Sequence, residues 1–255
     1  MRKNIWTTIK REWPVALSLV IVLLAWQFIS QAGIIQSFLL PPPTQILHVF
    51  LTSRVNWLSN TLITLTEILE GFAFGVLAGI GLAVVIALSP LAKKMIMPYI
   101  VITQVLPTVA IAPIIYIILG FDNTSRVVLV LLISFFPIVI GTVTGLTDVD
   151  QNLIYLMKSL GAGNAQIFFK VRLPNSLPHM FNGLRVGITG ATIGAIIAEF
   201  VSSNSGLGFL ITTSLTNFDT ALSYVAIVIL TFLGLFLYGA VELTGRALMP
   251  WFRRR

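Results

Sequence analysis

Six stretches of this chain are apolar over lengths that approach or exceed the roughly 20 residues a helix needs to cross a bilayer, and most of the charge lies between them. They run over about 14–29, 60–88, 97–119, 126–145, 186–201 and 222–243. Charged residues make up 10% of the 255, and mean hydropathy is +0.95. A soluble domain carries about 25% charged residues, so too little charge is present here to cover a water-facing surface. That excludes a soluble enzyme, and a disordered chain needs the opposite bias. The expected fold is all-α: a polytopic membrane protein of about six transmembrane helices, forming a single transmembrane domain over 1–255. The chain has no cysteine, which removes disulfides and thiolate chemistry.

The first stretch follows the basic residues Arg2, Lys3, Lys10 and Arg11. It is longer than a signal-peptide core and no clean small-x-small cleavage site follows it, so it reads as a retained span. Next, Leu39-Leu40-Pro41-Pro42-Pro43-Thr44 cannot be helical within its prolines. Thr44 is the expected N-cap of a short helix ending near residue 51. Gly71, Gly75, Gly79 and Gly81 include small residues four apart, the spacing that lets helices approach closely in lipid. Residues 89–94 read as a polar turn, as do 120–124. Pro98, Pro107 and Pro113 make the third stretch kinked or discontinuous, and backbone groups freed there must face protein or water.

Charge placement supplies an orientation. With a cytoplasmic N-terminus, Arg2, Lys3, Lys10, Arg11, Lys93, Lys94, Lys158, Lys170, Arg172, Arg185, Arg246, Arg253, Arg254 and Arg255 all fall inside, and Arg54 and Arg126 outside. This is the positive-inside pattern, and it puts both termini in the cytoplasm. It also accounts for the net charge of +7 without nucleic acid, because cations spread over inner loops face anionic lipid.

The inner region 148–185 lacks a spanning run but contains Leu153, Leu156, Met157 and Leu160 at helical spacing. Its sequence predicts a helix, a turn over Gly161-Ala162-Gly163, and a short second helix stopped by Leu173-Pro174. Phe168 and Phe169 sit beside Lys170 and Arg172. Such a hairpin suits a docking element for a partner protein, and equally an amphipathic membrane-surface helix. Asp148 and Asp150 precede the first helix and are read as caps. His48 and His179 lack metal-like spacing and are read as interface residues.

Gly161, nine intervening residues, then Val171-Arg172-Leu173-Pro174 resembles the EAA loop of binding-protein-dependent ABC importer permeases. Lys158-Ser159-Leu160-Gly161-Ala162 resembles its approach, and Gly183-Leu184-Arg185-Val186-Gly187 what normally follows. Leu40-Pro41-Pro42-Pro43, Pro107 with Pro113, and Ala198-Glu199-Phe200 through Gly206-Leu207-Gly208 are similar to the nitrate/sulfonate/taurine branch. One departure is clear: Tyr155-Leu156-Met157 stands where the family has Glu-Ala-Ala.

The resemblance implies a type I importer fold with a cytoplasmic coupling hairpin at about 148–185. It also implies a second permease copy, a cytoplasmic ABC ATPase dimer and an extracytoplasmic substrate-binding protein, in a bacterial inner membrane. ATP and Mg would belong to the ATPase; the chain has no phosphate-binding Gly-x4-Gly-Lys-Ser/Thr loop and is expected to bind no cofactor or metal and to catalyse nothing itself. Lys158, Ser159, Leu160, Gly161, Ala162, Phe168, Arg172, Leu173 and Pro174 are the implied coupling residues.

For the pathway, Gln104, Pro107 and Glu199 are the candidates, because a polar group at membrane depth is costly unless used. Glu199 lines the pathway, holds a gate, or caps the span at the outer interface. Gln104 lines a cavity beside the prolines or bonds between helices. Thr189 and Thr192 read as packing residues. The expected solutes are small oxyanions such as nitrate or sulfonates, or pyrimidine- and riboflavin-like heterocycles; the absence of a deep cation in the spans favours the neutral class. The alternative function is a stand-alone secondary transporter or channel, for which no internal repeat speaks.

Overall fold

The computed structural model describes residues 5–105 and 107–250, all of whose regular structure is helical; Arg2, Lys3, Arg253, Arg254 and Arg255 lie outside the described residues. The chain divides into two compact units, one of residues 1–56 and 210–229, the other of 57–209 and 230–255.

In the first unit, α1 (Ile5–Gln31) is apolar enough to span from Trp13 onward, and α2 (Pro43–Thr52) follows it. The structure corrects the cap: α2 begins at Pro43, with Pro42 before it in extended conformation and no side-chain cap. Proline suits this first position because the amide it lacks would have been unsatisfied there. Thr44 is therefore inside the helix. It bonds back to α1, its N–H donating to Gln27 Oε1 (3.2 Å) and its hydroxyl accepting from Gln27 Nε2 (3.0 Å). Ser30 Oγ donates to Leu40 O (2.6 Å), fixing the proline-rich turn.

The second unit is organised around α6 (Asn123–Thr147), which lies between α3 (Trp57–Leu88) and α9 (Leu173–Ser202). Bilayer lipid is as apolar as leucine, so helices in it gain contact by letting backbones approach. On α3, Gly71, Gly75 and Gly79 lie against Val130, Ser134 and Ile138 of α6. On α9, Gly183 and Gly187 face Pro137 and Ile138, while Gly141 and Gly145 of α6 face His179 and Ser176. Gly81 meets nothing and belongs to no seam.

The pairing order shows that α3 and α6 run parallel while α9 runs antiparallel to both. The segment between α3 and α6 must then recross the membrane. It does so as a broken span, α4 (Pro90–Val105) and α5 (Thr108–Leu119), bent by 105°. Ile100 of α4 packs with Ile86 and Val143, and Tyr116 of α5 with Leu129 and Ala198, at opposite ends of α6. This pair completes six spans. Of the three prolines only Pro107 stands at the break, preceding α5; Pro98 and Pro113 remain inside helices. The expected polar turn at 89–94 shrinks to Ser89, whose Oγ accepts from Ala92 N (3.2 Å) at the start of α4.

Two further helices, α10 (Leu207–Thr216) and α11 (Thr220–Leu248), follow α9. The first was not expected from the sequence. Beyond Leu230, α11 runs antiparallel to α9, with Gly234 near Thr192, Glu242 on Arg185 and Gly245 on Phe181. Its C-terminal end therefore shares the face that holds Lys93, Lys94, Lys158 and Arg172.

A side chain at Gly183 would meet Pro137 O at 2.7 Å, which is backbone and cannot turn aside. Gly183→Val is expected to lower the thermal stability of the detergent-solubilised protein by at least about 2 kcal/mol. Gly81→Ala is expected to be neutral or to stabilise by up to about 1 kcal/mol, as helical glycine replacement does. Thermal unfolding of both variants checks the pair.

Candidate functional site

The hairpin begins after α6 with Asp150, whose carboxylate accepts from Asn152 N (2.9 Å) and caps α7 (Gln151–Ser159). Asp148 instead closes α6, its backbone N–H bonding to Thr144 O (2.8 Å). Helix α7 ends in a left-handed glycine: Gly161 has φ +78°, and Ala162 N reaches back to Met157 O (2.9 Å). This is the glycine-capped stop that positive φ permits. Next, α8 (Asn164–Ile167) starts with the Gly163 N–H on Gln166 Oε1 (3.0 Å).

The chain does not stop at Leu173-Pro174. A single π turn over Phe168–Arg172 joins α8 to α9, and Leu173 and Pro174 are the first residues of the long helix. A proline lacks the N–H for the preceding turn and crowds the carbonyl four residues back. The wide π turn lies where that crowding falls, and π bulges are frequent at functional sites.

Ile154, Ile167, Val171 and Val149 bury themselves together, with Met157 and Ala162 packed on them. The hairpin is thus a closed unit with its own small core. Arg172 Nη1 donates to Ala87 O (3.3 Å) at the C-terminal end of α3, and Asn175 Nδ2 to Gly145 O and Asp148 O (3.2 and 2.9 Å) at the end of α6. Arg172 is therefore a tie to α3 as well as part of the loop. Facing outward are Lys158, Ser159 and Leu160 (74% exposed), with Tyr155, Leu156 and Phe169 beside them. Phe168, Leu173 and Pro174 are half-buried.

At the opposite end of the same helices lies a buried polar cluster. Glu199 is 1% exposed; its Oε1 accepts from Thr64 Oγ1 (2.6 Å), and its Oε2 accepts from the Gly208 amide. Leu207 N donates to Thr64 Oγ1 (2.9 Å) and Gly206 N to Asn60 Oδ1 (2.8 Å). Glycine is required at 206, where φ is +104° and a Cβ would strike the Glu199 carboxylate. Beside this, Arg126 Nε pairs with Glu67 Oε1 (2.6 Å), and Arg126 Nη1 donates to Ser202 O (3.2 Å). Tyr116 Oη donates to Ala198 O (2.8 Å). The cluster pins α3, α5, α6, the end of α9 and the 206–208 turn together.

Glu199 is thus buried and held by hydrogen bonds to Thr64 and the 206–208 turn. Gln104 and Pro107 are both exposed, near the break between α4 and α5, and are not gathered with Glu199. Thr192 is buried and bonds to Ile188 O, as a packing residue does. Thr189 does not pack; it lines an open cavity with Asn182, Arg185 and Tyr238. Glu67 and its ion pair with Arg126 escaped the sequence reading, although a carboxylate within an apolar run was a visible signal.

A profile described as the inner membrane component of binding-protein-dependent transport systems matches residues 71–250. The chain belongs to this family. The permease is 35% identical to the riboflavin transport system permease RibX of Chloroflexus aurantiacus, covering 94% of this chain and 91% of that one. It is 30% identical to the formylaminopyrimidine transport permease ThiX of Halalkalibacterium halodurans (92% and 94% covered). To the taurine transport permease TauC of Escherichia coli identity is 29% (95% and 94% covered). Its fold is that of the MetNI methionine ABC transporter in an inward-facing structure, with a TM-score of 0.62 at 19% identity, covering 72% of this chain and 92% of that one. The permease is therefore a permease subunit of a binding-protein-dependent importer with the type I fold, as its loop resemblance implied.

Removing one partner of a buried ion pair leaves the other charge uncompensated, at a cost of about 3–5 kcal/mol, whereas removing both is far milder. Arg126→Gln is accordingly expected to destabilise the permease strongly, and the double variant Glu67→Gln/Arg126→Gln to recover most of the loss. Thermal unfolding in detergent across the four-member cycle measures the coupling.

Proposed function

We propose that two copies of this permease form the translocation pathway of an ATP-driven importer, and that the 148–185 hairpin couples it to a pair of cytoplasmic ABC ATPases. ATP and Mg are held by those partners, and solute arrives from an extracytoplasmic binding protein. The hairpin face of the molecule and both termini lie in the cytoplasm, a reading supported by the cations gathered on that face and by Arg126 at the other end. The single observation that carries the coupling role is the closed hairpin core, which leaves Tyr155, Leu156, Leu160 and Phe169 exposed together with Lys158. A self-contained unit with an outward apolar face, bonded to the ends of α3 and α6, can receive a push and pass it on. The missing acidic residue at Tyr155 removes one ion pair with the ATPase and leaves apolar contact to carry the docking.

ATP-driven closure of the ATPase pair would move this unit and the helices tied to it as a body. Rigid-body motions of this kind need two stable packings and no chemical step. The opposite end, where Glu199 holds the 206–208 turn, is the region such a motion would open.

Nothing lies within 4 Å of a Cβ at Gly161, so substitution there acts on backbone conformation alone. Gly161→Val is expected to reduce binding-protein-stimulated ATPase activity at least tenfold, since a β-branched residue resists positive φ. Gly161→Asn, which tolerates that region, is expected to keep most of it. Membrane insertion should persist in both. Equal activity of the Val variant and the parent would contradict the coupling role.

A further inference from the structure

The Glu67–Arg126 ion pair leaves one carboxylate oxygen over. Glu67 is 1% exposed, and its buried Oε2 has no hydrogen-bond partner among the described residues. Buried polar atoms are nearly always bonded, so this oxygen calls for a donor. Three neighbouring donors are engaged elsewhere. Arg126 gives Nε to the other oxygen of Glu67 (2.6 Å) and Nη1 to Ser202 O (3.2 Å). Tyr116 Oη donates to Ala198 O (2.8 Å), and Thr64 Oγ1 to Glu199 Oε1 (2.6 Å). Within hydrogen-bonding reach of Glu67 lies the carboxyl group of Glu199, also 1% exposed.

Charge counting points the same way. Glu67 of α3 and Glu199 of α9 are two acids against one guanidinium, that of Arg126 on α6. Glu70, one turn along α3, adds negative charge from an exposed position, where it accepts from Asn123 Nδ2 (3.1 Å). Tyr116 of α5, a hydrogen-bond donor, is neutral, and the turn brings Glu199 only the amides of Gly208 and Phe209. Two carboxyl groups this close and this buried do not both ionise beside a single cation. We infer that Glu67 and Glu199 form a proton-binding site: one proton resides on Glu199, in its neutral acid form, and is donated to Glu67 Oε2. That proton supplies the missing donor and cancels the surplus charge at once. The Glu199 oxygens keep lone pairs for Thr64 and the Gly208 amide. The bond so formed runs from α9 to α3 at the end of the bundle away from the hairpin, so the junction of these helices depends on a proton.

Infrared difference spectra of the full-length chain in nanodiscs at neutral pH test the site, because a protonated carboxyl absorbs above the amide band and shifts down in heavy water. The parent is expected to show this band at about one carboxyl per chain. Glu67→Gln keeps an acceptor for Arg126 and offers an amide N–H to Glu199, so it is expected to fold. It also leaves one acid against one guanidinium, and the band is expected to vanish as Glu199 ionises. In Glu67→Gln/Arg126→Gln, where Glu199 has no cation, the band is expected to return. Amide absorption of the same samples reports whether each variant is folded, and the parent spectrum by itself decides whether a proton is held. No such band in the parent, as when water or a sodium ion sits between two carboxylates, would overturn the site. A band that survives in folded Glu67→Gln would mean that burial alone keeps Glu199 neutral, and would overturn the pairing. A band that stays absent in the double variant would overturn the charge balance from which the proton is inferred.

Discussion

Backbone-close packing of α6 against α3 on one side and α9 on the other is the constraint on which the rest of the second unit depends. In lipid no hydrophobic gain draws helices together, so contact is won by small residues. Ile138, fully buried, is shared by both seams: it meets Gly79 of α3 and Gly187 of α9. The outcome is a three-helix rod with few adjustable parts. A rod of this kind can link events at its two ends because a close-packed interior resists continuous deformation.

Each end of the rod carries polar work. At one, Arg172 and Asn175 bond the hairpin to the carbonyl ends of α3 and α6. At the other, Thr64 of α3, Arg126 of α6 and Glu199 of α9 meet around the 206–208 turn. Buried charges are expensive unless paired and hydrogen-bonded, so these contacts are satisfied as a set or lost as a set. Their position on the three packed helices joins the 206–208 turn to the hairpin end through one close-packed body.

Much of this was legible in the sequence. The spans, the 71/75/79 spacing, the interrupted third span and the Gly161–Pro174 loop are all local patterns, governed by hydropathy, helical period or the absence of a Cβ. What stayed hidden was tertiary. Pro174 read as a helix stop because local rules forbid it mid-helix, and only the π turn before it lets the helix continue. Thr189 and Thr192 are three residues apart and look alike, yet one faces a cavity and the other α11. Glu67 was visible as an acid within an apolar run, but its partner Arg126 is 59 positions away. Arg185 read only as one more cation of the positive-inside pattern, because nothing local reveals that Glu242, 57 positions on, pairs with it.

If α3, α6 and α9 move as one body, spin labels at Thr144 on α6 and Phe200 on α9, both exposed, keep their separation through the transport cycle. Electron-paramagnetic distance measurement, with labelled chain diluted into unlabelled, compares the nucleotide-free assembly with one trapped during ATP hydrolysis. The distance within the chain is expected to stay unchanged, while labels at Phe200 on two copies change separation. A change in the Thr144–Phe200 distance between the two states would contradict movement as one body.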